Sequence, residues 1–223
     1  MFQISGQEFC CKYCGKKCVK NGFQSNGKQR YKCKHCKRNQ QNFYTYNACH
    51  PSINQQIVTL TKENVGIRGT ARILQISATT LLKKLLLISD KIPEPTISSN
   101  GIYEVDEMRC VVFRKSNQIW LIYALERASR QVVSFAVGAR TNQNLNSVLS
   151  KLSFAKKIYT DKLQQYKTLI PKTKHRTSQY GINHIERKNL TIRTHIKRLT
   201  RRTICFSKSI CILVSVIKIY FWG

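Results

Sequence analysis

Apolar positions in the stretch from Ile53 to Ile88 recur three and four residues apart: Ile53, Ile57 and Leu60, then Ile67 to Leu74, then Ala78 to Ile88. That spacing gathers the apolar side chains on one helical face and predicts three short helices. Asn64, Val65 and Gly66 interrupt the first pair. Gln75, Ile76 and Ser77 read as a turn, with Ser77 placed to cap the third helix. Short helices with a tight turn before the last describe a helix-turn-helix, in which Ser77, Thr79, Thr80, Lys83 and Lys84 would face a DNA groove. An ordinary helical linker bundle is the alternative at this point. Asp90 to Gly101 holds Pro93, Pro95, Ser98 and Ser99, a composition that breaks helix and strand alike and reads as an interdomain linker.

From Ile102 the pattern shifts to runs rich in Val, Ile and aromatics: Ile102 to Phe113, Ile119 to Leu125 and Gln131 to Val137. These predict a meander of three strands joined by short polar turns. Helical sequence follows from Asn142 to Leu152, then a strand ending at Asp161, then a helix opened by Glu186. On that helix Ile185, Ile192, Ile196 and Leu199 form an apolar stripe, with Glu186, Arg193 and Lys197 on an adjacent face. Strand-strand-strand-helix-strand-helix is the order of a ribonuclease-H-like domain. In that architecture the first and fourth strands are neighbours, which would bring Asp106 and Asp161 together. The long apolar stretch, Ile210 to Trp222, is interrupted by Ser215 and Lys218. It falls short of the roughly 20 residues a spanning helix needs and reads as a buried C-terminal helix. Met1 to Cys11 shows no basic segment followed by an apolar run, so the expectation is a cytoplasmic protein without a membrane partner.

Six of the ten cysteines crowd into the first 36 residues, which in a cytosolic setting points to metal rather than disulfides. Cys11 and Cys14 form one Cys-x-x-Cys turn, and Cys33 and Cys36 a second, with 18 residues between them. Two such turns present four thiolates to a tetrahedral Zn2+, which would hold a module too small for its own core. Gly15 directly after the first turn permits the positive backbone dihedral such a turn needs. Cys10 could replace Cys11 at a looser spacing, and Cys18 lies nearby; His35 reads as a surface residue. Lys28, Arg30, Tyr31 and Lys32 between the turns make a basic hairpin suited to phosphate contact.

Charge sharpens the picture. Thirty-nine Lys and Arg against ten Asp and Glu give a formal net charge of +29, with 42% hydrophobic residues for a real core. Such an excess attracts polyanions, nucleic acid first and an anionic membrane surface as the rival. The last 97 positions keep two acids, Asp161 and Glu186, among 20 basic residues. With Asp106 they suggest a magnesium site held against phosphates. Two ions about 3.5–4 Å apart can activate a nucleophile and stabilise the leaving oxygen, and hard cations need only two or three carboxylates besides water.

The residues resemble those of transposases of the IS-one family of bacterial insertion sequences. The resemblance runs through the two cysteine turns, the helix-turn-helix, Tyr103 to Met108, Val137 to Thr141, Tyr159 to Asp161, His184 to Asn189, Arg193 to Leu199 and Arg202 to Lys208. It implies an Asp-Asp-Glu enzyme that cuts double-stranded DNA at an element's ends and joins them to a target. By motif position Asp106, Asp161 and Glu186 carry over as ligands of Mg2+ (or Mn2+). Glu104 and Glu107 would stand behind them or serve the fold. The zinc and helical modules would bind the terminal inverted repeats, and joining two ends implies at least a dimer. Some members arise by frameshifting between two reading frames, whereas here one frame suffices. Lys162 stands where the family usually has a small residue, and Ile210 to Val216 is apolar where it tends to be acidic and amphipathic.

The expected architecture is therefore α+β and multidomain. A zinc ribbon spans 1–48, a helix-turn-helix 49–91, a linker 92–101, and a ribonuclease-H-like mixed α/β catalytic domain with its C-terminal helix 102–223. The expected setting is the bacterial nucleoid. A non-catalytic DNA-binding regulator, a nuclease or resolvase of the same fold, and a degenerate inactive copy are the competing readings.

Overall fold

The computed structural model describes residues 9–41, 44–114, 116–178, 180–200, 205 and 207–223. Its contacts divide the chain into two compact units, Met1–Ile53 and Asn54–Gly223. Arg201 to Ile204 and Phe206, most of them part of the last resemblance motif, lie outside the described residues, as do Met1 to Glu8.

In the first unit β1 (Cys18–Phe23), β2 (Gln29–Cys33) and β3 (Asn39–Gln41) form an antiparallel sheet. Its interior is Cys11, Cys18 and Cys33, with Phe9 and Tyr31 ring to ring at 4.3 Å. So small a sheet buries too little apolar surface to be stable alone.

The second unit begins with α1 (Ile53–Lys62), α2 (Ile67–Ile73) and α3 (Ala78–Lys91). Asn64 closes α1 in the left-handed region at φ 58°, with Val65 N–H reaching back to Leu60 O at 2.9 Å. Ser77 caps α3 as expected, its hydroxyl accepting from Thr80 N–H at 3.0 Å.

Five strands then form a mixed sheet: β4 (Ile102–Val111), β5 (Gln118–Glu126), β6 (Val132–Gly138), β7 (Lys157–Tyr159) and β8 (His175–Arg176), in the order β6-β5-β4-β7-β8. β4, β5 and β6 are antiparallel neighbours, while β7 lies parallel to β4 opposite Ile102, Tyr103 and Glu104. The first and fourth strands are neighbours, as the element order predicts. β4 stops two residues earlier than its apolar run, because Phe113 turns left-handed (φ 67°) and donates its N–H to Ser207 O at 2.7 Å.

Both faces of the sheet are covered, so the central strand reads as a continuous apolar run. Leu121, Tyr123 and Leu125 of β5 meet α6 (Asn183–His195) and α7 (Ile210–Trp222) through Ile185, Ile192, Leu213 and Ile217. Ile122 and Ala124 face the other way, toward Leu145 and Val148 of α4 (Asn142–Leu149) and Tyr166 of α5 (Gln164–Leu169). All four residues of the predicted stripe on α6 are buried in one core. The helix nevertheless ends at His195, and Ile196 is extended before a 3-10 turn, Lys197–Leu199. Lys197 therefore does not share a helical face with Glu186 and Arg193.

α7 is apolar nearly all round because it is covered on several sides. Leu213 and Ile217 enter the sheet core, and Ser215 receives a hydrogen bond from Ser89 of α3 at 2.9 Å. Among the described residues no helix is long and apolar enough to cross a membrane. Replacing Ile192, fully buried between α6 and the sheet, by Ala should cost about 2–5 kcal/mol in urea unfolding. A loss under about 1 kcal/mol would contradict this packing.

Candidate functional site

The sulfurs of Cys11, Cys14, Cys33 and Cys36 form one group in which all lie within 4.8 Å of each other. Each Cys-x-x-Cys turn is followed by a left-handed residue, Gly15 at φ 69° and Lys37 at φ 60°. Gly15 N–H returns to Cys11 O at 2.9 Å, and Cys33 N–H donates to Arg38 O at 3.0 Å. The structure thus chooses Cys11 over the exposed Cys10. Cys18 stays outside the group, its sulfur taken by Gln40 Nε2 at 2.9 Å. His35 is exposed.

The electrostatics of this cluster favour a cation. Burial opposes ionisation of Cys11, yet the N–H groups of Tyr13 and Cys14 and the neighbouring thiols hold it down to about 6. Cys14 receives Lys16 N–H, but burial and the three other thiols push it up to about 12. Crowded thiols cannot all carry charge unless a cation joins them. The four are compatible with Zn2+.

The second cluster lies where β4 outruns β7. Carboxylate oxygens of Asp106, Glu107 and Asp161 all lie within 4.8 Å of one another. Asp106 and Asp161 come together although 54 residues separate them. Asp161 follows the end of β7, and its Oδ1 accepts Leu163 N–H at 2.9 Å. Asp106 Oδ2 accepts from Asn189 Nδ2 at 2.6 Å, and Tyr123 donates to Asn189 Oδ1 at 2.8 Å. This chain of hydrogen bonds ties β5, α6 and β4 to one carboxylate.

Glu186 stands outside the close group, exposed on the first turn of α6 and one turn before Asn189. Its charge is still felt at Asp106. Burial raises the Asp106 carboxyl, Glu107 N–H and Asn189 pull it back, and Asp161 and Glu186 push it further up. Burial also lifts Glu107, to about 7, with Asp161 and Asp106 adding repulsion and the Tyr166 hydroxyl and Arg140 opposing it.

Glu104, one of the weaker sequence candidates, is fully buried and occupied. Its Oε1 faces Arg127 Nε at 2.7 Å and His184 Nδ1 at 2.6 Å, and its Oε2 accepts Ile185 N–H at 2.8 Å. It anchors the start of α6 rather than joining the acid cluster. Asn189 closes the resemblance motif His184 to Asn189 but has no role in the sequence reading; its place three residues after Glu186 was the signal for it.

The basic candidates are scattered between the two units. Thr79 and Lys83 are exposed on α3, Thr80 and Lys84 are half-buried, and Lys84 Nζ donates to Asn54 Oδ1 at 3.1 Å. Arg193 is half-buried near Tyr123, and Lys197 is exposed with its N–H on Asn64 Oδ1 at 3.1 Å. In the first unit Lys28 and Arg30 are half-buried, and Arg30 Nε donates to Asn21 O at 2.9 Å.

The family model described as IS1 transposase matches residues 101–222, and one described as InsA C-terminal domain matches residues 44–86. The insertion element iso-IS1n protein InsB of Shigella dysenteriae is 39% identical over 118 residues, covering 52% of this chain and 90% of that protein. An insertion element IS1 protein InsB of Shigella flexneri is 38% identical over 48% of this chain and 83% of its own length. For the insertion element IS1 2 protein InsB of Escherichia coli the identity is 38% and the shares are 48% and 65%. A solved structure of a simian T-cell lymphotropic virus intasome with a PP2A regulatory subunit superposes with a TM-score of 0.39. The identity is 16%, over 72% of this chain and 66% of that one. The chain belongs to the IS1 transposase family and is a transposase.

A pH dependence follows from Glu107. Its carboxyl titrates near 7 in the fold against an ordinary 4.5, so its favourable protonated form is complete below pH 4.5. That contribution is lost as pH rises through 7. Without added Mg2+ or Mn2+, Glu107→Gln should match the wild type at about pH 4. At about pH 8 it should exceed it by about 1–2 kcal/mol in urea unfolding, a figure reduced for partial exposure. Equal pH profiles for the two proteins would refute the shift.

Proposed function

We propose that this transposase binds the terminal inverted repeats of an insertion sequence and cleaves and joins DNA strands with Mg2+ or Mn2+ held by Asp106, Asp161 and Glu186. The observation that carries the reading is the meeting of Asp106 and Asp161 at the open edge between β4 and β7. The order and pairing of the strands support a ribonuclease-H-like architecture for residues 102–223; the same reading assigns a zinc ribbon to 1–48, a helix-turn-helix to 49–91 and a linker to 92–101.

Divalent cations at such carboxylates supply charge for the attacking and leaving oxygens of a phosphodiester. The chain's own part is positioning. Asn189 holds one oxygen of Asp106 and Leu163 N–H one oxygen of Asp161, which leaves each a second oxygen to offer. Glu186 adds a third carboxylate from the first turn of α6. Arg193 and Lys197 grip the DNA backbone beside the cut, and Thr79, Thr80, Lys83 and Lys84 read the element end. Lys28 and Arg30 hold phosphates on a hairpin whose Zn2+ sits on Cys11, Cys14, Cys33 and Cys36. The working complex is a homo-oligomer on two element ends and a target, in the bacterial cytoplasm.

Asp161→Ala or Glu186→Ala should lower cleavage and joining of end-containing DNA by more than about a hundredfold while end binding in a mobility shift survives. Strand transfer retained in either variant would sink the assignment. Replacing Cys33 and Cys36 together with Ser should remove one zinc per chain by metal analysis and weaken end binding. A metal content unchanged by that replacement counts against the zinc reading.

A further inference from the structure

Glu107 stands outside the ligand set proposed above, yet it is the acid that completes the close carboxylate group with Asp106 and Asp161. Successive strand residues point to opposite faces, so Asp106 and Glu107 leave β4 on different sides of the sheet. Both still reach Asp161, because β7 pairs with β4 only as far as Glu104 and the edge beyond is open.

Beneath the acids lies an independent sign of a ligand. Tyr166 on α5 is completely buried in the core that contains Val105, Leu145 and Ile158. Its hydroxyl makes no well-formed hydrogen bond among the described residues; the Glu107 carboxylate is the acceptor beside it, and the charges of Asp106 and Asp161 are felt there. Glu107 Oε1 is also buried without a partner. A buried hydroxyl left unpaired costs stability, and Phe would fill the same space without that cost. The phenol and the carboxylate oxygen are matched as donor and acceptor.

We propose that Glu107 is a third carboxylate ligand of the divalent cation shared by Asp106 and Asp161, and that Tyr166 is the residue that positions it. Tyr166 donates its O–H to one Glu107 oxygen and turns the other toward the ion. The chemistry suits a hard cation, which takes oxygen ligands and tolerates several waters. Asp106 and Asp161 each commit an oxygen to a protein donor, so a third carboxylate supplies a ligand that the pair cannot. Glu186 then remains for a second ion or for closure on bound DNA. This proposal rests on the reading that the acid cluster binds a divalent cation.

The test is Mn2+ titration of the zinc-loaded full chain followed by electron paramagnetic resonance, without DNA, for the wild type, Asp161→Asn, Glu107→Gln and Tyr166→Phe. Asp161→Asn should lose the site. Glu107→Gln should weaken Mn2+ about tenfold or more, and Tyr166→Phe by several-fold without lowering the unfolding midpoint. Tyr166→Phe keeps the core volume, so a change in Mn2+ affinity reports on the hydroxyl and not on packing. Wild-type affinity in Glu107→Gln, with the site lost in Asp161→Asn, overturns this proposal and leaves the magnesium reading standing. Wild-type affinity in Asp161→Asn overturns both.

Discussion

Glu104 sits inside the sheet domain with its charge surrounded by Arg127, His184 and the N–H of Ile185. A buried carboxylate is costly unless its oxygens are filled, and here three donors fill them. The donors come from two distant parts of the chain: Arg127 just after β5, and His184 with the Ile185 N–H in the first turn of α6. The ion pair therefore pins the first turn of α6 onto β4 two residues before Asp106. An acid near a helix N-terminus also meets the positive end of the helix dipole. Arg127 extends the anchor, donating to Gly181 O at 2.5 Å and lying over the Tyr159 ring at 3.9 Å. In this way β7, β4 and α6 are brought to one point.

The acid site inherits its geometry from that anchor. With the start of α6 fixed, Asn189 falls one turn beyond Glu186 and lands on Asp106, where Tyr123 steadies it from β5. Without Glu104, burial of Ile185 and Ile192 would still hold α6 against the sheet, but apolar packing tolerates sliding and rotation more than directed hydrogen bonds do. Apolar contact thus keeps the helix in place, and Glu104 sets its register. The basic candidate Arg193 follows on the same helix, so its distance from the acids depends on that register too.

Much of this was legible in the residues. The three-strand meander, the helix capped by Ser77 and the neighbouring first and fourth strands follow from local periodicity and turn chemistry, which depend on nearby positions. The cysteine group was legible for the same reason, since each turn is a four-residue device. What escaped the sequence depends on tertiary context. Period-two alternation sends Glu107 away from Asp106, and only the short pairing of β7 explains why both reach Asp161. Ile196 and Leu199 keep helical spacing and are buried, yet the helix has already ended at His195. Burial alone therefore does not reveal the backbone that delivers it. The packing of α3 on α7 was also hidden, because a proline-containing segment separates the helices from the sheet and reads as a linker.

The two clusters share one electrostatic logic despite a net charge of +29. A cation excess of that size would be expected to hold every acid ionised, yet burial and two close carboxylates keep Glu107 up near 7 against the pull of Tyr166 and Arg140. Distance and solvent explain this. Exposed Lys and Arg more than about 8–10 Å away are screened by salt, whereas like charges within 4.8 Å in a half-buried edge are not. Arg140 itself is partly engaged over the Trp120 ring at 4.6 Å. The lysine-rich surface and the acid cluster therefore act on different scales, one attracting a polyanion from afar and the other keeping an unmet demand for positive charge. The thiol group shows the same demand in a drier setting, where Cys14 is pushed up because its neighbours compete for charge. In both places the protein's own abundant cations fail to neutralise the cluster, which is what leaves room for a metal ion.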